Sequence, residues 1–86
     1  MMTEQDVYKV LADALENLFE IEPERIKPEA HLVDDLEIDS IDAIDLIDHI
    51  KRKTGYKLMA DDFRTVRTVD DVIQAVMAKI SENPNL

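Results

Sequence analysis

The chain has no cysteine and no tryptophan, one glycine, three prolines, two phenylalanines and two tyrosines. Without cysteine there is no disulfide, no cysteine-type zinc site and no thiol nucleophile of its own, so any sulfur chemistry needs an imported thiol. With so few aromatics, the core falls to Ile, Leu, Val and Ala. Basic residues are also scarce: ten Lys and Arg face twenty Asp and Glu, a formal charge of −10 at pH 7. Nucleic acid and anionic membrane surfaces repel such a chain, whereas basic protein partners are drawn to it by electrostatic steering. No apolar run approaches the length of a membrane span, and the opening MMTEQDVYKV lacks the basic-then-apolar order of a signal peptide. A cytoplasmic address and a monomeric state are expected.

What is present is aliphatic and regular. Hydrophobic residues make up 45% of the 86, too many for a disordered chain despite the charge. They fit one small domain over 1–86, with its core at about 3–81 and a frayed tail around Pro84. Val7, Val10, Leu11, Ala14, Leu15 and Leu18 recur at one-face helical spacing and predict a helix from about Thr3 to Phe19. Thr3 with Asp6 reads as its cap and acidic partner. Pro23 and Pro28 break the pattern from Glu20 to Asp39. A connection of roughly twenty residues needs pinning to the core, and Ile21, Ile26, Leu32, Val33, Leu36 and Ile38 are the candidates. A second helix is expected from about Ser40 to Lys53, capped by Asp39 or Ser40 and closed by Gly55 in a left-handed conformation. Asp61-Asp62-Phe63 suggests one short helix. A last helix starts near Thr68, where Thr68 and Asp71 repeat the cap-plus-acid pattern, with Val69, Val72, Ile73, Val76 and Ile80 on its apolar face. The fold class is all-α: a small four-helix bundle, three helices longer and one short, with a long first connection and no strands.

Charge is concentrated in one stretch. Asp34, Asp35, Glu37, Asp39, Asp42, Asp45 and Asp48 fall within fifteen residues that hold no Lys or Arg, while seven of the ten basic residues follow. A solvated helix face is the plain explanation for such a run. On a wheel of about 100° per residue, Ala43, Leu46, Ile47 and Ile50 share a buried side with Ile44 at its edge, and Asp42, Asp45 and Asp48 lie opposite. Ile41 falls among the acids. It either tucks under the preceding loop or serves as a contact for a partner that also brings basic groups. Ser40 at the helix start is either a cap or an exposed hydroxyl. A phosphate attached to that hydroxyl would meet the positive end of the helix dipole and free backbone N–H groups.

The run Asp35-Leu36-Glu37-Ile38-Asp39-Ser40-Ile41-Asp42 resembles the phosphopantetheine attachment motif of acyl carrier proteins, usually Asp-Leu-Gly-x-Asp-Ser-Leu-Asp. The resemblance extends from about Val7 to Ile80 and includes Ile26 and Leu32 in the loop, Ile44 to Ile50 in the second helix and Thr68-Val69 before the last. It implies that Ser40, beside Asp39, carries a 4′-phosphopantetheine arm donated from coenzyme A by a phosphopantetheinyl transferase. The arm's thiol would supply what a cysteine-free chain lacks. It further implies a carrier that presents acyl thioesters to acyl-transferring and ketosynthase-type enzymes and catalyses nothing itself. Ile41, Asp42, Asp45, Asp48 and Glu37 would dock basic patches on those enzymes. Ile44, Ile50 and Val66 would line a shelter for the acyl chain. Departures from the family pattern bear on the partners: Glu37 stands for the usual glycine, Ile41 for leucine, Lys51-Arg52-Lys53 for an acidic helix end, and Asp48 for an exposed apolar residue. The Asp-Ser-Ile-Asp variant looks as much like carriers of specialised pathways, such as aryl polyene synthesis, as like the fatty-acid carrier.

Other classes compete less well. As a calcium loop starting at Asp35, the sequence has Ser40 where glycine is required and Leu46 where the twelfth-position glutamate belongs, so no metal site is expected. For a serine hydrolase, His31 and His49 are present, but no strand-turn-helix elbow or oxyanion hole accompanies them. A carrier of aminoacyl or peptidyl groups on the same arm, and an acidic adaptor that is never modified, both stay open. An adaptor tolerates loss of the Ser40 hydroxyl and a carrier does not.

Overall fold

The computed structural model describes residues 2–82, so the tail expected around Pro84 lies outside the described residues. Four helices follow one another: α1 (Glu4–Phe19), α2 (Ser40–Thr54), α3 (Ala60–Phe63) and α4 (Val69–Glu82), with a 3-10 turn at Pro23–Arg25. The long helices begin as their sequences specify. Asp6 N–H donates to Thr3 Oγ1 at 3.2 Å while Asp6 Oδ2 accepts from Thr3 N–H at 2.9 Å, and Thr68 with Asp71 repeats the box at 3.2 and 3.1 Å. Gly55 ends α2 at φ 84° with its N–H on Lys51 O. Glu20 ends α1 at φ 54°, and the next residue, Ile21, donates to Leu15 O at 3.2 Å and is buried.

The core gathers Leu11 and Leu15 of α1, Leu46 and Ile50 of α2 and Val72 and Val76 of α4, with Leu58 from the α2–α3 connection. Helix α1 packs on both α2 and α4, and short α3 rests on α4, where Lys79 Nζ meets Asp62 Oδ2 at 3.2 Å. Two expected core positions lie elsewhere. Leu18 is exposed near the end of α1, at the border of an open groove shared with His49 and Arg52 of α2, and Val33 is exposed in a turn whose buried sites go to Leu32 and Leu36.

The first connection is anchored by side chains and by backbone. Ile21, Ile26, Leu32, Leu36 and Ile38 are all buried, and Tyr8 Oη donates to Ile26 O at 3.0 Å. Leu32 N–H bonds Arg67 O at 2.8 Å, Val69 N–H bonds Ala30 O at 3.0 Å and Asp70 N–H bonds Pro28 O at 2.8 Å. An isolated antiparallel bridge pairs His31 with Thr68; there is no strand among the described residues. The radius of gyration, 11.8 Å, matches the roughly 12 Å of a packed chain this long, as a wrapped rather than extended loop requires.

The cap carboxylates make stability depend on acid. Hydrogen bonds from the Thr68 and then the Arg67 N–H hold Asp71 below the ordinary value of 3.8. The Thr3 N–H does the same for Asp6, and the Met59 N–H for Asp62. A depressed folded-state pKa contributes stability above the unfolded value and loses it as pH falls through the folded one. The gap in Tm between wild type and Asp71→Asn should therefore be full above about pH 4 and close as pH drops further. Thermal melts across that range check this. Solvent screening keeps the underlying difference in stability under about 1 kcal/mol.

Candidate functional site

The acidic stretch covers the end of the wrapped loop and continues along α2 as far as Asp48. Asp35 closes the loop: its Oδ2 accepts from His31 N–H at 2.7 Å, and its carbonyl accepts from the Arg25 guanidinium. His31 Nδ1 accepts from Asp34 N–H at 3.2 Å, so this histidine is a turn element. Ile38 N–H returns to Leu32 O at 2.9 Å, and the buried Ile38 fixes where the next residues emerge.

Between them Glu37 has φ 57°, the left-handed region that glycine favours. The position usually held by glycine in the resembling motif keeps glycine's backbone without the residue. That region costs an L-residue about 1–2 kcal/mol, while glycine's extra freedom in the unfolded chain costs about 0.4–1 kcal/mol. Glu37→Gly should then stabilise the fold by about 0.5–1 kcal/mol, read as a higher urea midpoint at unchanged slope.

Asp39, not Ser40, caps α2. Its Oδ1 accepts from the N–H of Ile41 at 3.0 Å and of Asp42 at 2.9 Å. Ser40 is the first helical residue, exposed, and its hydroxyl has no hydrogen-bond partner among the described residues. Helix capping thus no longer accounts for the serine. The same contacts amend the expectation that a phosphate at Ser40 meets free N–H groups, because Asp39 already occupies two of them.

Around the hydroxyl, Ile41 stands 71% exposed and does not tuck under the loop. Glu37, Asp45 and Asp48 are exposed and Asp42 is half-buried. Asp48 pairs with Arg52 at 3.0 Å, so its charge is partly met one turn on. Ile44, 66% exposed, is not part of the buried side of α2. It lines two shallow grooves between α2 and the segment that follows. One, of about 340 Å³, is bordered by Ser40, Ala43, Ile44, Ile47, Phe63 and Arg64. The other, of about 320 Å³, is bordered by Ile44, Ile47, Asp48, Lys57, Leu58 and Met59. Ile50 is fully buried in the core and Val66 is half-buried against it; neither borders these grooves.

Phe63, Arg64 and Met59 are additions that sequence periodicity did not single out. The four-residue α3 is too short to carry a readable face. His49 lies apart, in a third groove with Leu18, Phe19 and Asp45. Among the described residues no cluster of His, Cys, Asp or Glu could hold a metal ion, and no helix is long and apolar enough to cross a membrane. An unpartnered hydroxyl on a capped helix start, open to solvent and beside a mostly apolar groove, has the room and the nucleophile that a covalently attached phosphodiester needs.

Comparison with known proteins places the chain as a whole among relatives of one kind. The profile of the family described as "Phosphopantetheine attachment site" matches residues 9–76. "Acyl carrier protein 2" of Ralstonia nicotianae is 40% identical over 80 residues, 93% of this chain and 99% of that protein. The "Meromycolate extension acyl carrier protein" of Mycolicibacterium smegmatis is 34% identical over 82 residues, covering 95% of this chain and 83% of the relative. The "Acyl carrier protein" of Chlamydia trachomatis is 32% identical over 79 residues, 92% and 97% of the two chains.

Proposed function

Because the chain belongs to the acyl carrier protein family and holds acyl groups as thioesters on 4′-phosphopantetheine, we propose that Ser40 is the point of attachment and that the exposed surface around it is the docking face. The observation that carries this reading is the Ser40 hydroxyl, exposed and unpartnered while Asp39 performs the cap. In this reading Ser40 Oγ becomes the ester oxygen of the phosphodiester, and a transferase supplies the arm from coenzyme A. The arm brings the terminal thiol, and the domain itself catalyses nothing. A tethered thioester reaches successive enzymes at an effective concentration set by the arm's length.

Ile41 supplies an exposed apolar centre, ringed by Asp42, Asp45 and Glu37, for a basic patch with a hydrophobic middle. Asp48 contributes less, since Arg52 screens it. The apolar borders of the two grooves, Ile44 and Ile47 above all, offer an attached acyl chain its shelter. Ile50 and Val66 would take part only if α2 moved away from the core. The relatives, named as acyl carriers and in one case as a meromycolate extension acyl carrier, support an acyl chain as the cargo, and we read the carrier as a cytoplasmic monomer.

The test is intact mass after incubation with coenzyme A and a broad-specificity phosphopantetheinyl transferase. The expected result is a gain of one phosphopantetheine unit, at a rate that falls as salt screens the acidic face. A folded sample that the chain's own cognate transferase leaves unmodified would sink the proposal and favour an unmodified adaptor.

A further inference from the structure

The phosphodiester at Ser40 faces an electrostatic difficulty that the fold must answer. It adds a negative charge beside Asp39, Asp42 and Glu37, in a chain already at −10. The usual answer, the free N–H groups of a helix start, is largely taken, because Asp39 Oδ1 accepts from both Ile41 and Asp42.

We propose that the guanidinium of Arg64 binds this phosphodiester and so positions the arm over the groove between α2 and α3. The inference rests on the reading of Ser40 as the attachment residue. Ser40 and Arg64 border the same groove of about 340 Å³, and Arg64 is the one cation among its bordering residues. The rest of the border is Ala43, Ile44, Ile47 and Phe63, an apolar strip on which an arm held at its phosphate end can lie.

Arg64 is free to respond. Its ion pair with Asp61, 3.8 Å long and with both side chains largely exposed, is of the kind worth about 0–1 kcal/mol. A phosphodiester offers two oxygens to the planar guanidinium fork, a stronger geometry than a single long contact. The platform beneath is steady: Phe63 packs against the core and Lys79 ties the adjacent Asp62 to α4 at 3.2 Å. Other nearby cations are less suited. Arg52 is engaged with Asp48. Lys57 borders the second groove beside Asp48, a residue about 12 Å along the helix axis from Ser40.

The experiment loads the full chain with phosphopantetheine and reads the phosphorus resonance by NMR, comparing wild type, Arg64→Gln, Arg64→Lys and the control Arg52→Gln. Intact mass first establishes loading on Ser40, with Ser40→Ala as the blank, and circular dichroism establishes the fold of each variant. In the wild type the resonance should stand apart from its position in urea-unfolded loaded protein and move toward it as salt is raised. Arg64→Gln should sit near the unfolded position at low salt and lose the salt response, Arg64→Lys should fall between, and Arg52→Gln should match wild type. Identical spectra for loaded wild type and loaded Arg64→Gln overturn the role of Arg64 and leave Ser40 as the attachment site. Absence of the mass gain in wild type overturns both readings, and is seen in the mass before any spectrum is taken.

Discussion

Ser40→Ala should leave a folded, helical protein that gains no mass with coenzyme A and transferase, against complete conversion of wild type. The loss is expected to be total because, among the described residues, no other side chain combines an unpartnered hydroxyl with a place at the start of α2. The substitution is also expected to be almost silent in stability. The hydroxyl is exposed and holds no cap, since Asp39 performs that duty, and exposed changes away from special features stay within about 0.5 kcal/mol. This separation makes the result informative. A destabilised Ser40→Ala would mean that the hydroxyl has a structural role after all, and a loaded Ser40→Ala would move the attachment elsewhere.

Leu46→Ala should be the most damaging single change on α2. Leu46 is completely buried, and truncating such a leucine costs about 2–5 kcal/mol, transfer and cavity together. Small domains have only about 5–15 kcal/mol in total, and one of this size sits toward the lower end. Urea denaturation should show a midpoint displaced by a large part of its wild-type value. Ile44→Ala, two residues earlier on the same helix, should move it by less than about 0.5 kcal/mol, because Ile44 is mostly exposed. Equal losses for the two would contradict the orientation of α2.

That pair also marks how far the sequence could be read. Periodicity puts Leu46, Ile47 and Ile50 on the inner side of α2 and leaves Ile44 at its edge; only the packing of α1 against α2 decides that the edge faces solvent. Caps are local chemistry and were legible: Thr3 with Asp6, Thr68 with Asp71, and Gly55 at the end of α2. The serine was legible too, as one of two candidate caps and as the centre of a motif. Its freedom from capping follows from the choice of Asp39, which no spacing rule makes.

What stayed hidden depends on contacts between distant segments or on backbone conformation. Val33 is as aliphatic as Leu32, and only the turn decides which of them points inward. Glu37 and Glu20 give no sign in their side chains that their backbones are left-handed. Asp35 reads as one more acid in a run, yet it ties the loop together through His31 N–H. Arg64 reaches the neighbourhood of Ser40 only because α3 rests on α4, and a four-residue helix leaves too short a trace in the sequence to reveal it.

The backbone bonds that join the first connection to the entry of α4 bear on the order of events during folding. Leu32 with Arg67, Val69 with Ala30 and Asp70 with Pro28 unite segments far apart along the chain, and contacts of such long sequence separation form only after the loop-closure entropy has been overcome. The amide protons of Leu32, Val69 and Asp70 should accordingly exchange with solvent chiefly through global opening. The segment that delivers Ser40 into α2 thus acquires its shape late, with the whole domain. A modifying enzyme that reads that shape would label only finished molecules, so the modified fraction of a newly made population would count its folded members.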